Sequence, residues 1–148
     1  MDSSCSICDK HRGAGPLVGP TVWADDDVVV THRPVGADGT TVLGYLYVET
    51  RRHAPYLADL TDREAEKVGK VVRRAALSLR TELAADYVFS VIVGRAVAHF
   101  HQHLFVRHTG TPADYDWLAG DEWPEAPRET ASDVENLCAR LRIYFDEP

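Results

Sequence analysis

The chain has 148 residues, of which 45% are hydrophobic and 26% charged, and its formal net charge is −7 at pH 7. This length and composition predict a single globular domain over residues 1–148. The negative charge argues against a long nucleic acid as partner, because phosphate contacts need a basic face, but it allows a small phosphorylated ligand. The sequence shows no apolar stretch of membrane-spanning length and no signal-peptide pattern, so we expect no membrane association and a cytoplasmic protein with reduced cysteines.

The hydrophobic pattern predicts an α+β domain. Apolar and β-branched runs predict strands at residues 21–24, 28–31, 41–48, 87–93 and 98–106. Thr61 and Glu64 have capping-box spacing, and an apolar stripe at helical period follows to about Ala84, which predicts one long central helix. Ser132 and Glu135 predict the cap of a C-terminal helix in the same way. Short turns favour antiparallel pairing, so we expect about five antiparallel strands packed by these helices.

Cys5 and Cys8 form a Cys-x-x-Cys pair, a spacing that suits either one tetrahedral metal ion or a redox couple. A redox pair usually opens a helix after a strand, and no strand precedes this pair, so a metal is favoured. Zinc needs two more ligands, for which His53 and His99 are the candidates. A site with two cysteines and two histidines is closed to water and therefore structural. Residues 1–13 are accordingly predicted to be a zinc knuckle segment.

His99, His101 and His103 alternate along one predicted strand, and alternation on a strand places the three imidazoles on one face. Three hypotheses follow from this pattern. The first is that the histidines form a partly buried polar ladder with no catalytic role. The second is that they hold a catalytic metal ion, and the third is that one of them is a nucleophile that the others orient.

Residues 110–148 are predicted to be an irregular segment followed by the C-terminal helix. Its aromatic residues, Tyr115, Trp117 and Trp123, either anchor the segment to the domain or cover a substrate base. Cys138 is expected to be a buried core thiol, and His32 and His108 are expected at the surface or in loops.

The histidine run and its flanks resemble the histidine triad (HIT) superfamily. The family's mark, His-φ-His-φ-His-φ-φ, is matched by His99-Phe100-His101-Gln102-His103-Leu104-Phe105. The lead Gly94-Arg95-Ala96-Val97-Ala98 and the junction Val48-Glu49-Thr50-Arg51-Arg52-His53, followed by Leu60-Thr61, are also similar to family segments. The N-terminal Cys-x-x-Cys resembles HIT proteins that carry zinc. The resemblance spans roughly residues 5–107 and implies a HIT-like fold, a homodimer and nucleotide substrates.

The resemblance also implies roles for the histidines. His101 would attack the α-phosphate of a nucleotide and form a nucleotidyl-histidine, which water or another acceptor resolves. His103 would contact the phosphate or assist the leaving group, and His99 would orient the site through zinc held with Cys5, Cys8 and His53. A neutral imidazole is a competent nucleophile. The expected activity is therefore that of a nucleotide hydrolase or nucleotidyl transferase acting on phosphoramidates, dinucleoside polyphosphates or related compounds.

Three positions depart from the family pattern and are candidates for substrate binding. Arg95 replaces the usual Gln and offers a bidentate phosphate fork. Thr31 stands where the family often has Asp or Asn for the ribose hydroxyls, and Gln102 replaces an apolar residue between two histidines. Two alternatives stay open: a metal-dependent hydrolase with the triad histidines as metal ligands, and a non-catalytic nucleotide-binding protein, which these departures favour.

Overall fold

The structure is a computed structural model and describes residues 4–146. Residues 1–3 and 147–148, at the two ends of the predicted domain, lie outside the described residues. The strands are β1 (Thr21–Ala24), β2 (Val28–His32), β3 (Thr40–Val42), β4 (Tyr45–Thr50), β5 (Tyr87–Ile92), β6 (His101–Arg107) and β7 (Arg128–Thr130). The helices are α1 (Ser6–His11), α2 (Asp62–Glu82) and α3 (Ala131–Arg142), with 3-10 turns at Leu57–Asp59, Gly120–Glu122 and Ile143–Phe145.

The main sheet has five strands in the order β1-β2-β4-β6-β5 among the described residues, and every neighbouring pair is antiparallel. This confirms the predicted α+β class and the five-stranded antiparallel sheet. In the pairing of β4 with β6, Tyr47 lies opposite His103 and Glu49 lies opposite His101. Directly opposite residues project to the same face of a sheet, so these four side chains share one face.

The strand predicted at residues 41–48 is wrong as a single strand, because the chain turns at Gly44. β3 pairs with β7 in a separate two-stranded sheet, whereas β4 lies within the main sheet. Gly44 has a φ of 87°, and a Cβ added there would lie 2.7 Å from Cδ1 of Leu83. Only glycine satisfies both the left-handed backbone and this close approach.

His32 is fully buried, which corrects the prediction that it lies at the surface. Its Nδ1–H donates to the carbonyl oxygen of Arg33 at 2.8 Å, and its Nε2 accepts from the N–H of Gly44 at 2.9 Å. Burial lowers the pKa of His32 to about 4. This histidine therefore stays neutral and fastens β2 to the turn that precedes β4. His108 is half-buried and donates to the carbonyl oxygen of Leu43 at 2.7 Å.

The hydrophobic core lies between one face of the main sheet and helices α2 and α3. Its fully buried leucines are Leu46, Leu79, Leu104, Leu137 and Leu141. The capping box of α2 is confirmed: the Thr61 hydroxyl accepts from the N–H of Glu64 at 3.1 Å, and the Glu64 carboxylate accepts from the N–H of Thr61 at 2.9 Å. Cys138 is buried in this core, as predicted.

Four other element boundaries differ from the prediction. Residues 6–11, within the segment predicted to be a zinc knuckle, form a helix that the sequence did not predict, α1, and the Cys5 thiol caps it by accepting from the N–H of Cys8 at 3.3 Å. Helix α3 begins at Ala131 with Thr130 as its N-cap, so Ser132 lies inside the first turn. The segment between β6 and α3 was expected to be irregular, but it contains strand β7. Strand β6 begins at His101, whereas the prediction began it at residue 98.

The second face of the main sheet is covered by α1 near the start of β6. This face carries Tyr45, Tyr47, Glu49, His101 and His103, so helix α1 and the histidines meet there. Within residues 4–146, no helix has the length and apolar character needed to cross a membrane.

Candidate metal centre and active site

Cys5, Cys8, His53 and His99 come together in one cluster whose ligand atoms all lie within 4.8 Å of one another. The Nδ1 atoms of His53 and His99 are 3.3 Å apart. The sulfur of Cys5 lies 3.4 Å from Nδ1 of His99, and the sulfur of Cys8 lies 3.5 Å from Nδ1 of both histidines. Tetrahedral zinc, with its known bond lengths, places two nitrogen ligands about 3.3 Å apart and a nitrogen and a sulfur about 3.5 Å apart. The two thiols and two imidazoles therefore fit a tetrahedral zinc ion in both donor type and spacing.

The surroundings of the cluster prepare it for a cation. His99 Nε2–H donates to the carbonyl oxygen of Thr50 at 2.6 Å, which leaves the Nδ1 lone pair for the cluster. Burial, together with the neighbouring Cys5, raises the pKa of the Cys8 thiol to about 11. Two adjacent buried thiolates need a positive charge to be stable, and a metal ion supplies it.

His99 precedes β6, which corrects the prediction that all three alternating histidines lie on the strand. Its side chain still lies on the side of the sheet that α1 covers, as alternation predicted, while Phe100 is buried in the core on the other side. His99 is fully buried among the sulfur atoms, while His101 and His103 lie on the strand with ring centroids 5.1 Å apart. The strand begins two residues after His99. One histidine of the motif therefore belongs to the candidate metal centre, and two belong to β6.

His101 is held in one tautomer. Its Nδ1 lies 2.7 Å from the carbonyl oxygen of His99, and because a carbonyl only accepts, Nδ1 carries the proton. The lone pair of the neutral imidazole is therefore on Nε2. His101 and His103 both line a cavity of about 150 Å³. An imidazole with a defined lone pair beside a cavity is equipped to attack an electrophile or accept a proton.

His103 is neutral and contacts a tyrosine. Its Nδ1 lies 3.0 Å from the hydroxyl oxygen of Tyr45. Burial, with smaller contributions from His101 and Arg33, lowers the pKa of His103 to about 4. Burial also raises the pKa of Tyr45 to about 12, so this phenol keeps its proton at neutral pH.

Arg33 and Tyr45 were not among the residues predicted from the sequence to belong to the site. Arg33 lies with Cζ 3.6 Å from the centroid of the Tyr45 ring and donates to the Asp121 carboxylate at 3.0 Å. Asp121 comes from the segment that follows the histidines, so this ion pair anchors that segment beside His103. The only sequence signal for Tyr45 is its place directly after the turn glycine Gly44. Trp117 also has an anchoring contact, since Arg107 Cζ lies 4.5 Å from the centroid of its ring.

Lys10 and Glu49 were also missed. The Lys10 ammonium donates to the Glu49 carboxylate at 3.0 Å and to the Thr31 hydroxyl at 2.7 Å. His11 Nε2 lies 3.0 Å from the other oxygen of Glu49. Burial by itself raises the pKa of Glu49, but the hydrogen bond from His11 and the charge of Lys10 outweigh it and hold this pKa below its ordinary value. Glu49 lies just beyond the strand predicted at residues 41–48, so no sequence signal indicated that it faces the histidines.

The three predicted substrate-binding residues lie in different places. Thr31 is buried on β2 in contact with Lys10. Arg95 is exposed in the loop between β5 and β6. Gln102 projects to the face opposite His101 and His103, where its side-chain N–H donates to the Ser90 hydroxyl on β5 at 2.9 Å. The structure thus brings Thr31 to the face that carries the histidines and keeps Gln102 on the opposite face.

Comparison with solved structures identifies the fold. The chain is similar to a Hit-like protein involved in cell-cycle regulation from Bartonella henselae, at 17% identity and a TM-score of 0.68 over 97% of this chain and 98% of that one. It is similar to a hypothetical histidine triad nucleotide-binding protein from Sulfolobus tokodaii, at 17% identity and a TM-score of 0.69 over 96% and 92% of the two chains. A Zn-bound histidine triad family protein from Mycobacterium smegmatis matches at 20% identity and a TM-score of 0.65 over 95% and 92%.

The protein therefore has the histidine triad fold, as the sequence resemblance implied. At these identities the likeness establishes the fold and no particular activity. No protein-family model matches the chain, and no curated protein matches it.

Proposed function

We propose that the protein is a nucleotide hydrolase or nucleotidyl transferase that works through a covalent nucleotidyl intermediate on His101. The observation that carries this proposal is the 2.7 Å contact between His101 Nδ1 and the His99 carbonyl oxygen, because it leaves the Nε2 lone pair available beside the cavity. The Sulfolobus relative described as nucleotide-binding supports the class of ligand.

In the proposed reaction, His101 Nε2 forms a bond to the α-phosphorus while the bond from phosphorus to the leaving group breaks. The leaving group takes a proton from water. The positive charge of the substituted imidazole is met by the His99 carbonyl, which keeps its hydrogen bond from Nδ1–H. Water or another acceptor then attacks the phosphorus and releases its proton, the nitrogen–phosphorus bond breaks, and neutral His101 is restored.

His103 has a supporting role in this proposal. With the Tyr45 hydroxyl donating to Nδ1, the proton of neutral His103 resides on Nε2. That N–H donates a hydrogen bond to a phosphate oxygen and stabilises the charge that develops there. Arg95, exposed beside the start of β6, adds a charged fork for the phosphates, and Thr31 contacts the substrate further along the sheet.

We further propose that Cys5, Cys8, His53 and His99 hold a structural zinc ion. The Zn-bound Mycobacterium smegmatis relative and the spacing of the four donor atoms support this assignment. A zinc ion supplies a cross-link that fixes α1 and the approach to β6. Because the four protein ligands complete a tetrahedron, the ion takes no part in the chemical step. Reduced thiol ligands suit a cytoplasmic protein.

We propose a homodimer formed along β5, one of the two edge strands of the main sheet as described. Tyr87 and Ile92 of this strand and the adjacent Val93 are exposed, and an edge strand leaves backbone donors and acceptors for a second copy. Light scattering coupled to gel filtration tests this proposal: a mass of one chain contradicts it.

The decisive experiment is intact-protein mass spectrometry after rapid acid-free quenching of reactions with adenosine 5′-phosphoramidate, diadenosine tetraphosphate and nucleotide sugars. We expect a nucleotidyl adduct and nucleotide release with the parent protein and neither with His101→Ala. His108→Gln, a histidine change outside the cavity, serves as the matched control and should keep both. Activity that survives in His101→Ala but disappears with a chelator would instead support the metal-dependent hydrolase. Nucleotide binding without release in any variant would support a binding protein.

A further inference from the structure

Helix α1 delivers a buried positive charge to the face of the sheet that carries the histidines. The Lys10 side chain is only 5% exposed, and its ammonium contacts Thr31 and Glu49 and lies 4.9 Å from the centroid of the Tyr47 ring. Glu49 is 2% exposed. Burying such a pair costs desolvation free energy that the ion pair does not reliably recover, so stability alone does not explain its presence.

The position of this pair relates it to the proposed reaction. Glu49 is the direct cross-strand partner of His101, and Thr31 lies one strand further away, opposite Tyr47. Two strand spacings amount to about 10 Å. Lys10 and Glu49 therefore lie between His101 and Thr31, two residues that are about 10 Å apart across the sheet. Lys10 and Glu49 line the same cavity as His101, so a nucleoside that occupies this cavity with its phosphate at His101 contacts the pair.

The cavity beside His101 combines two kinds of surface. Aliphatic side chains from separate segments line it, namely Ile7, Leu17, Pro34 and Val97. Lys10, Tyr47 and Glu49 line it together with the two histidines. Aliphatic side chains pack against the two faces of a planar ring such as a nucleobase. Buried polar groups form hydrogen bonds with the donors and acceptors at the edge of that ring and so determine which ring binds.

The polar groups keep hydrogen-bonding capacity for a ligand. An ammonium has three N–H donors, and Lys10 uses two of them on Thr31 and Glu49. A carboxylate has about four acceptor sites, and Glu49 uses two of them, for Lys10 and His11. Among residues 4–146, a donor on Lys10 and acceptor sites on Glu49 are therefore both unused within one small region.

We propose that Lys10 and Glu49 are specificity-determining residues that read the edge of the substrate's nucleobase. Lys10 donates to a ring nitrogen or carbonyl oxygen, and Glu49 accepts from a neighbouring N–H or amino group. The substrate class is thus a nucleotide whose base presents an adjacent acceptor and donor. This inference deepens the proposed function and rests on it for the location of the phosphate.

The test is equilibrium binding by calorimetry, with the full-length protein and its variants. The ligands are the four ribonucleoside 5′-monophosphates, purine riboside 5′-monophosphate, which has the ring but no exocyclic donor, and ribose 5-phosphate. The variants are Lys10→Met and the double variant Lys10→Met with Glu49→Gln, which avoids leaving an unpaired buried carboxylate. Lys70→Met, which removes an exposed lysine on α2, is the control for loss of one charge.

We expect at least one natural nucleotide to bind the parent protein ten times more tightly than purine riboside 5′-monophosphate or ribose 5-phosphate. In the double variant this advantage should fall to less than threefold, while ribose 5-phosphate affinity and all Lys70→Met affinities stay within twofold of the parent. No such advantage in the parent, or an equal loss for every ligand, overturns the inference.

Adduct formation on the same preparations separates the two proposals. A parent protein that shows Lys10-dependent base discrimination without a His101 adduct overturns the covalent mechanism and supports base recognition. An adduct whose formation is indifferent to the base, in parent and double variant alike, overturns base recognition and leaves the covalent mechanism standing.

Discussion

The hydroxyl oxygen of Tyr45 lies 3.0 Å from Nδ1 of His103, and it is the one described hydrogen bond that fixes the orientation of this imidazole. Tyr45→Phe removes the hydroxyl and keeps the ring that stacks on Phe105. We expect kcat for phosphoramidate hydrolysis to fall about fivefold with little change in KM, because a lost hydrogen bond is worth about 1 kcal/mol and acts on the tautomer, not on binding. Steady-state kinetics check this. A fall in melting temperature with unchanged kcat would assign Tyr45 to stability alone.

The buried histidine at position 32 predicts sensitivity to acid. Its pKa is about 4 in the folded protein, below the ordinary value of 6.5, so the unfolded chain binds the proton more readily. The stabilisation is fully present above pH 6.5 and is lost as the pH falls from 6.5 towards 4, by about 3 kcal/mol at most. Urea unfolding at pH 7.0, 5.5 and 4.5 measures this.

His32→Gln isolates this contribution from other titrating groups. The variant should be less stable at pH 7, because the hydrogen bonds to Arg33 and Gly44 are disturbed, and it should lose less stability than the parent between pH 7.0 and 4.5. Parallel pH profiles for parent and variant would contradict the prediction.

Removal of the metal should loosen α1. We expect about one zinc per chain by plasma mass spectrometry in the parent and less than half of that in Cys8→Ser, since a lost thiolate weakens a four-ligand site. Cys138→Ser, a change of a buried thiol outside the cluster, should keep its zinc. Hydrogen exchange should show faster exchange over residues 6–11 after chelation, because a helix of six residues is too short to persist alone. Unchanged protection there would contradict a role for the metal in holding α1.

The cap of α2 gives a stability prediction. Thr61→Ala removes the side-chain acceptor for the N–H of Glu64, and we expect the free energy of unfolding to fall by about 1 kcal/mol. Thr81→Ala, at the other end of the same helix, removes a hydroxyl that bonds only to the carbonyl of Leu77, and should change stability by less than about 0.5 kcal/mol. Chemical denaturation of both variants measures the two free energies of unfolding. Equal losses in the two variants would show that the capping box of α2 adds no stability beyond that of an ordinary hydroxyl contact.

The parts of the structure that follow from local sequence were predicted from it. Thr61 and Glu64 are three residues apart, and the signal for the start of α2 lies within one turn. The five strands of the main sheet were each predicted to within a few residues except where the chain turns at Gly44. Its left-handed backbone has a sequence signal, but β-branched residues on both sides extended the apparent strand across it.

The parts that depend on distant residues were not predicted. Lys10 and Glu49 are 39 residues apart, and Arg33 and Asp121 are 88 apart, so no local pattern pairs them. The start of β6 after His99 was not predicted either, because alternation of histidines continues through residues 99 to 103 and does not mark where pairing begins.

The separation of the metal ligands has a consequence for how the protein is made. Cys5 and His99 are 94 residues apart, and at roughly 5–20 residues per second the ribosome needs on the order of ten seconds to synthesise that interval. During this time both cysteines lack the imidazole of His99, and β6 does not yet exist for α1 to cover. Capture of the proposed zinc ion by all four ligands is therefore completed only after residue 99 has been made, and the first helix docks on β6 late instead of nucleating the fold.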